Sequence, residues 1–393
     1  MKIGIDIRSI GKQRTGDEVY TLNLIKNLLE IDKENQYFFY TNTKEANVLN
    51  KIKKTIDPTK RFKNYWIIPV LPASKALWTF WSLPLHLIKN PVDILHVQYI
   101  TPFFLPGGIK LVTTIHDVSF AALPRLIDRK DLFFLRRLIP LSLKRADKVI
   151  AVSDFTKKEI EKHYKIETTK IERVYNGVSE DYFKIELTAG RTDQIKKKYN
   201  IRQPFILYVG TLQPRKNIPF LLKTFDKLKQ EGKTEDKIKR LTLVLSGKRY
   251  GRNYDKLIEK TLSEMKKSNS KAIKDINFIG FVDDEDLVFL YRMAQAVVLP
   301  SFYEGFGLPA IEAMASGSPV IHNNSSCFQE ITQGAGLSFE NGDRDDFTKK
   351  IFDSIINLKL RNNLIDRGRR RALFFNWKKC ATETLAIYKK ICF

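Results

Sequence analysis

A chain of 393 residues and 45.7 kDa exceeds what one hydrophobic core usually organises, so two domains are expected. With 43% hydrophobic and 28% charged residues, and only 19 glycines and 15 prolines, it is neither collagen-like nor wholly disordered. Its 68 Lys and Arg outnumber 44 Asp and Glu, and the net charge of +24 points to a phosphate-bearing partner: nucleic acid, anionic lipid or a phosphorylated small molecule.

The opening MKIGIDIRSI places Asp6 and Arg8 inside an apolar alternation, unlike the basic-then-apolar order of a signal peptide, so a cytoplasmic protein is expected. Residues 2–7 predict a buried strand, 20–29 a helix and 37–40 a strand. Charge then shifts: residues 1–50 carry 7 basic and 7 acidic side chains, residues 51–150 carry 17 and 6. There Lys60, Arg61, Lys63 and Lys75 interleave with Phe62, Tyr65, Trp66, Trp78, Phe80 and Trp81. That mixture suits the headgroup boundary of a peripheral membrane protein, and equally an aromatic core beneath a solvated basic face. Pro69, Pro72, Lys75 and Pro84 interrupt the apolar stretch 66–88, so it is not expected to span a membrane.

Further strands are expected at 94–97, 110–115 and 148–152, and strand–helix repetition implies a parallel sheet. Residues 129–140, RKDLFFLRRLIP, read either as a surface helix docking on anionic lipid or as a packed helix whose arginines face water. Residues 186–203 are polar without apolar period and predict a linker. Alternation resumes with strands at 204–209, 241–246, 276–278, 296–300 and 319–322 and helices at 218–229 and 284–293. Residues 343–393 predict two or more basic amphipathic helices containing Trp377. Cys327, Cys380 and Cys392 fit neither a zinc ribbon nor a disulfide framework, and no repeat is visible.

Chemistry concentrates in residues 301–312, SFYEGFGLPAIE, directly after a predicted strand. A glycine-containing turn there exposes backbone N–H groups, and a helix opening near Pro309 presents its positive end, which suits phosphate and sugar hydroxyls. Glu304 and Glu312, with seven residues between them, can accept sugar hydroxyls. Arg215 and Lys216 stand at a strand-to-helix turn, where fixed positive charge would stabilise a diphosphate; a solvated basic cap is the alternative.

With Glu304 and Glu312 matching a Glu-x7-Glu signature, the sequence resembles the retaining GT-B glycosyltransferases of family 4 over nearly its whole length. Other matches follow in order: Arg14-Thr15-Gly16, His116-Asp117-Val118, residues 152–156, Asn176-Gly177-Val178 and residues 210–217. The resemblance implies an α/β chain with the GT-B fold, two Rossmann-like domains with parallel sheets facing a cleft. The expected divisions are an acceptor domain at 1–185, a linker at 186–203, a nucleotide-sugar domain at 204–375, and a helix at 376–393 crossing back to the first domain.

Carried over residue by residue, the resemblance implies catalytic roles for His116, Glu304, Lys216 and Arg215. Glu304 would meet the donor sugar's hydroxyls, Gly305, Phe306, Gly307 and Leu308 would line sugar and phosphate, and Glu312 would meet the ribose. Gly16 and Gly210 would let backbone approach the donor, Val282 would pair with the base through its backbone, and Lys248 would contact base or phosphate or remain a surface lysine. Two departures stand out. Thr211 replaces an Arg that many relatives place after the strand glycine, and Asp17 and Glu18 follow Gly16, where they serve as helix-start acids or read an acceptor.

The resulting expectation is a retaining hexosyltransferase moving mannose from GDP-mannose to a glycan or lipid-linked acceptor in surface polysaccharide synthesis. Transfer would need no metal and no cofactor. Alternatives are a UDP-glucose or UDP-N-acetylglucosamine transferase, a same-fold epimerase, and a basic protein binding nucleic acid or a membrane surface without catalysis. No zinc finger or RNP motif supports nucleic acid as a partner.

Overall fold

The computed structural model describes residues 1–11, 15–72, 74, 77–250 and 253–392. Arg14 and Lys75, both singled out above, fall outside these residues. The chain divides into two units, one comprising Met1–Ala122, Arg129–Gly177 and the residues from Asn376 onward, the other Leu123–Asp128 and Val178–Phe375.

In the first unit the strands are β1 (Lys2–Asp6), β2 (Gln36–Thr41), β3 (Tyr65–Pro69), β4 (Ile94–Gln98), β5 (Lys110–Ile115), β6 (Lys148–Ala151) and β7 (Ile171–Arg173). They form one parallel sheet in the order β3-β2-β1-β4-β5-β6-β7. Parallel neighbours need helical crossovers, so the central strands are covered and read as continuous apolar runs. Ile94, Leu95, Val112, Val149 and Ile150 are accordingly fully buried. The helix Trp377–Cys392 packs on the helix Gly16–Ile31, with Tyr388 donating to or accepting from His96 Nδ1 at 2.5 Å. Gly177 is required by that return: a Cβ there would lie 2.2 Å from the backbone nitrogen of Trp377.

The second unit holds β8 (Phe205–Val209), β9 (Thr242–Ser246), β10 (Ile276–Gly280), β11 (Ala296–Leu299), β12 (Val320–Asn323) and β13 (Leu337–Phe339). All are parallel, in the order β10-β9-β8-β11-β12-β13. Its core gathers Leu221, Leu222 and Phe225 of the helix Ile218–Glu231 against Leu243 and Leu245 of β9. The strand order reverses between β8 and β11, and the loops leaving their carboxyl ends border the crevice where open α/β sheets take ligands.

Two expectations need correction. The polar stretch 186–203 carries the helix Ala189–Lys198, which Thr188 caps and which docks within the second unit: Arg191 Nη2 and Lys198 Nζ each reach Asp286 at 2.6 Å. A helix held by charge rather than by an apolar stripe lacks the period a sequence reading relies on. The division between units also falls after Gly177, not near 185, and residues 123–128 go with the second unit. Among the described residues, no helix is long and apolar enough to cross a membrane.

Candidate active site

The loop leaving β8 begins at Gly210, whose φ of +150° and 2.9 Å approach of a notional Cβ to Tyr208 Oη exclude a side chain. Tyr208 Oη donates to the Thr211 carbonyl at 2.8 Å and holds this turn. Gly210 N–H donates to Ser246 O at 3.0 Å, and Gly247 N–H to Gly280 O at 2.9 Å, so the loops after β8, β9 and β10 are laced together. A Cβ on Gly247 would sit 2.1 Å from Gly210 O. Gly247 and Gly280 thus join Gly210 in shaping the sheet's carboxyl edge, a role legible only once the strands are neighbours.

Beyond Gly210 a 3₁₀ turn, Pro214–Lys216, presents Arg215 and Lys216, and Asn217, left-handed at φ +56°, starts the helix Ile218–Glu231. The loop after β11 supplies Ser301 and Glu304 and is tied to this turn by Phe302 N–H donating to Arg215 O at 2.9 Å. The Glu304 carboxylate receives hydrogen bonds from Lys216 Nζ, from Arg215 Nη1 at 3.1 Å and from Ser301 Oγ at 2.8 Å. Arg215 Nη1 also donates to Tyr303 O at 3.0 Å. Side-chain exposures of 17% for Arg215, 11% for Lys216 and 13% for Glu304 make this a largely desolvated triad. Burial alone would raise the Glu304 carboxyl, but the two cations and the Lys216 and Ser301 hydrogen bonds outweigh it and bring it to about 2. Two cations therefore share the ionised Glu304 carboxylate, an arrangement suited to receiving a phosphate.

The helix Leu308–Ala315 follows at once, with Gly307 as its N-cap at φ +79°. A Cβ on Gly307 would lie 2.8 Å from Phe328 Cε1, so both conformation and space demand glycine. No acidic side chain occupies the first turn, so the N–H groups and the positive end of the dipole are not already neutralised there. Phe306 is buried and meets Phe375 edge-on, and Gly305 is buried beside it. Glu312 is buried and accepts from Tyr291 Oη at 2.8 Å. Val282 is buried just after β10, and Lys248 is exposed just after β9.

Arg215, Lys216 and Glu304 are thus in direct contact, with Gly210 and residues 305–308 contiguous to them. Lys248, Val282 and Glu312 stand on other elements of the same unit. Ser301 and Tyr291 escaped the sequence reading. The serine three residues before Glu304 was a weak signal, and Tyr291, 21 residues from Glu312, offered none.

His116 and Gly16 belong to the first unit and are described there. Gly16 opens the helix Gly16–Ile31, and a Cβ on it would meet nothing within 4 Å. Thr15 caps that helix by accepting from Glu18 N–H, while Glu18 Oε1 accepts from Gly11 N–H at 3.1 Å, so Glu18 acts as a helix-start acid. His116 follows β5, and its ring meets Tyr20 edge-on at 4.7 Å. Burial pushes its imidazole below the usual value, against the opposing charges of Asp17 and Asp117.

The His116 tautomer follows from the hydrogen-bond chain. Thr21 Oγ1 donates to Asp17 O at 2.7 Å and so accepts from Gln98 Nε2. This turns Gln98 Oε1 toward His116 Nε2 at 2.9 Å, so Nε2 carries the proton and Nδ1 is the acceptor nitrogen.

Residues 191–371 match the family profile described as glycosyl transferases group 1, and residues 15–182 match that of glycosyltransferase family 4. The chain is 34% identical over 292 residues to O-antigen chain mannosyltransferase B of Escherichia coli, covering 73% of this chain and 72% of that protein. It is 25% identical over 249 residues, 63% of this chain, to the serotype-specific mannosyltransferase WbdA of Escherichia coli, of whose length it covers 29%. Its backbone resembles sucrose-phosphate synthase from Thermosynechococcus elongatus with a TM-score of 0.75 at 19% identity, over 99% of this chain and 98% of that one. The two parallel Rossmann-like sheets are those of the GT-B fold. On these sequence and profile matches, the chain belongs to the glycosyltransferases of group 1 and family 4.

Proposed function

We propose that this protein is a retaining mannosyltransferase that takes mannose from GDP-mannose and adds it to a glycan or lipid-linked acceptor during surface polysaccharide synthesis. The observation that carries the reading is the desolvated Arg215–Lys216–Glu304 triad at the point where strand order reverses in the second unit. The likeness to O-antigen chain mannosyltransferases supports the choice of sugar and product.

In this reading the second unit grips the donor. Arg215 and Lys216 take the diphosphate, and their charge matters more as the sugar bond lengthens and negative charge gathers on the leaving phosphate. The N–H groups at the start of the helix Leu308–Ala315 complete the anion site without a metal ion. Glu304 orients the sugar hydroxyls, Glu312 the ribose, Val282 the base through its backbone, and Lys248 an outer phosphate or base edge. The first unit holds the acceptor, with Gly16 at the start of the helix Gly16–Ile31 and His116 Nδ1 available to a hydroxyl. The acceptor oxygen bonds the anomeric carbon on the face the phosphate leaves, and its proton passes to the departing phosphate oxygen, which keeps the anomeric configuration.

The test is turnover of purified protein with GDP-mannose, UDP-glucose and UDP-N-acetylglucosamine, with the product anomer assigned by NMR. GDP-mannose consumption with an α-linked product is expected. Turnover confined to a UDP-sugar would replace the donor assignment, and an inverted product would remove the retaining one.

A further inference from the structure

The first unit exposes an aromatic and aliphatic surface that its own core does not use. The π turn Trp78–Ser82 runs directly into the helix Leu83–Lys89. Its inner side, Trp78, Leu83 and Leu87, is fully buried against the sheet. On its outer side Leu77, Trp81, Leu85 and Ile88 recur every three or four residues, each about half exposed. A soluble amphipathic helix places polar groups at those positions. The loop between β4 and β5 extends the surface, since Phe103, itself 47% exposed, stacks on Phe80 at 4.0 Å and Phe104 meets Trp81 edge-on.

The same loop joins this surface to a cationic one. Thr101 N–H donates to Ser142 Oγ at 2.9 Å, which fastens the loop to the helix Arg129–Arg145. That helix carries six basic side chains and one acid, Asp131. Phe133 and Phe134 are more than half exposed on it, and the Arg137 guanidinium lies 4.4 Å over the Phe133 ring. Exposed aliphatic and aromatic groups thus sit in the same unit as a basic helix that carries a single acid and is tied to their loop.

We propose that this surface docks on an anionic bilayer, with Trp81, Leu85 and Phe103 entering the headgroup–acyl boundary and the basic helix lying against lipid phosphates. Charge complementarity selects this occupant. A second copy of a chain with net charge +24 would bring the same cations face to face. Nucleic acid could meet the arginines and stack on Trp81 or Phe103, but it would leave Leu77, Leu85 and Ile88 in water, whereas a bilayer buries them. The proposal does not depend on which sugar is transferred. It gives the enzyme a place to work, beside acceptors carried on lipid.

The experiment is flotation of the full chain with phosphatidylcholine vesicles containing or lacking phosphatidylglycerol, at low and high salt. Binding only to the anionic vesicles, weakening with salt, is expected. Trp81→Ser with Leu85→Ser should weaken it roughly tenfold or more through lost apolar burial. Arg136→Gln with Arg137→Gln should reduce the preference for anionic lipid. All four side chains are exposed, so circular dichroism and the thermal shift with GDP should stay at wild-type values. No flotation with anionic vesicles, wild-type flotation by both variants, self-association through this face, or tighter binding to single-stranded nucleic acid would each overturn it.

Discussion

Replacing Glu304 by Gln preserves size and an acceptor for Ser301 but removes the charge that Arg215 and Lys216 share. In the folded chain this carboxyl sits at about 2 instead of 4.5. A depressed carboxyl contributes stability that is full above its unfolded value and is lost as pH falls through the folded one, so at neutral pH all of it is present. At 1.36 kcal/mol per unit, the displacement corresponds to about 3 kcal/mol. Removing one partner of a buried ion pair costs about 3–5 kcal/mol, which is the same size. In a unit of about 200 residues, with 2–4 °C lost per kcal/mol, the melting temperature should fall by about 6–12 °C. GDP should then reverse more of the loss than it adds to the wild type, because its diphosphate restores the negative charge the substitution removes. Calorimetry of both proteins at neutral pH, with and without GDP, checks each part. A variant melting within about 2 °C of wild type, or an equal GDP shift in both, would refute the view that Glu304 is the counter-ion of this site. Turnover should fall as well, since the sugar-orienting carboxylate is gone.

Two further outcomes follow from the local geometry. Gln98→Glu places a carboxylate against His116 Nε2 and should raise the imidazole from its depressed position. A ¹⁵N-resolved histidine titration should show Nε2-protonated neutral His116 in the wild type and a higher midpoint in the variant, and an Nδ1-protonated wild type would contradict the chain through Thr21. Gly247→Ala drives a methyl to 2.1 Å from Gly210 O and should cost about 1–3 kcal/mol and weaken GDP binding, whereas Gly16→Ala, which meets nothing, should leave melting unchanged. Equal melting temperatures for the two alanine variants would show that the laced loops are not the constraint described.

Most of the strands legible in the sequence were central ones, and the edge strand β10 was read only in part, as 276–278. Residues 110–115 and 284–293 agree with β5 and the helix Asp284–Met293, and the other central strands differ by a residue or two. The strands missed were β3, β7 and β13, each at the edge of a sheet; β7 and β13 are three residues long, and β3 is a run of mixed aromatic and aliphatic residues that ends in Pro69. At the site, a dense local motif such as EGFGLPAIE could be read because its two glycines, its helix start and its two glutamates lie within ten residues. Partners brought together over long separations left no such trace: Tyr291 on Glu312, Gly247 on Gly210, Gln98 on His116.

From residue order alone came the alternation of strand and helix, the parallel sheets, the family resemblance and the identity of Arg215, Lys216, Glu304 and Glu312 as the groups to examine, because each depends on neighbours in the chain. Tertiary structure decided that Arg215 and Lys216 close on one carboxylate and hold it ionised, that the polar stretch 186–203 contains a docked helix, and that Leu77, Trp81, Leu85 and Ile88 face outward. Charge pairing, burial and exposure are set by which segments meet across the fold, and a sequence specifies those meetings only through the packing of the whole.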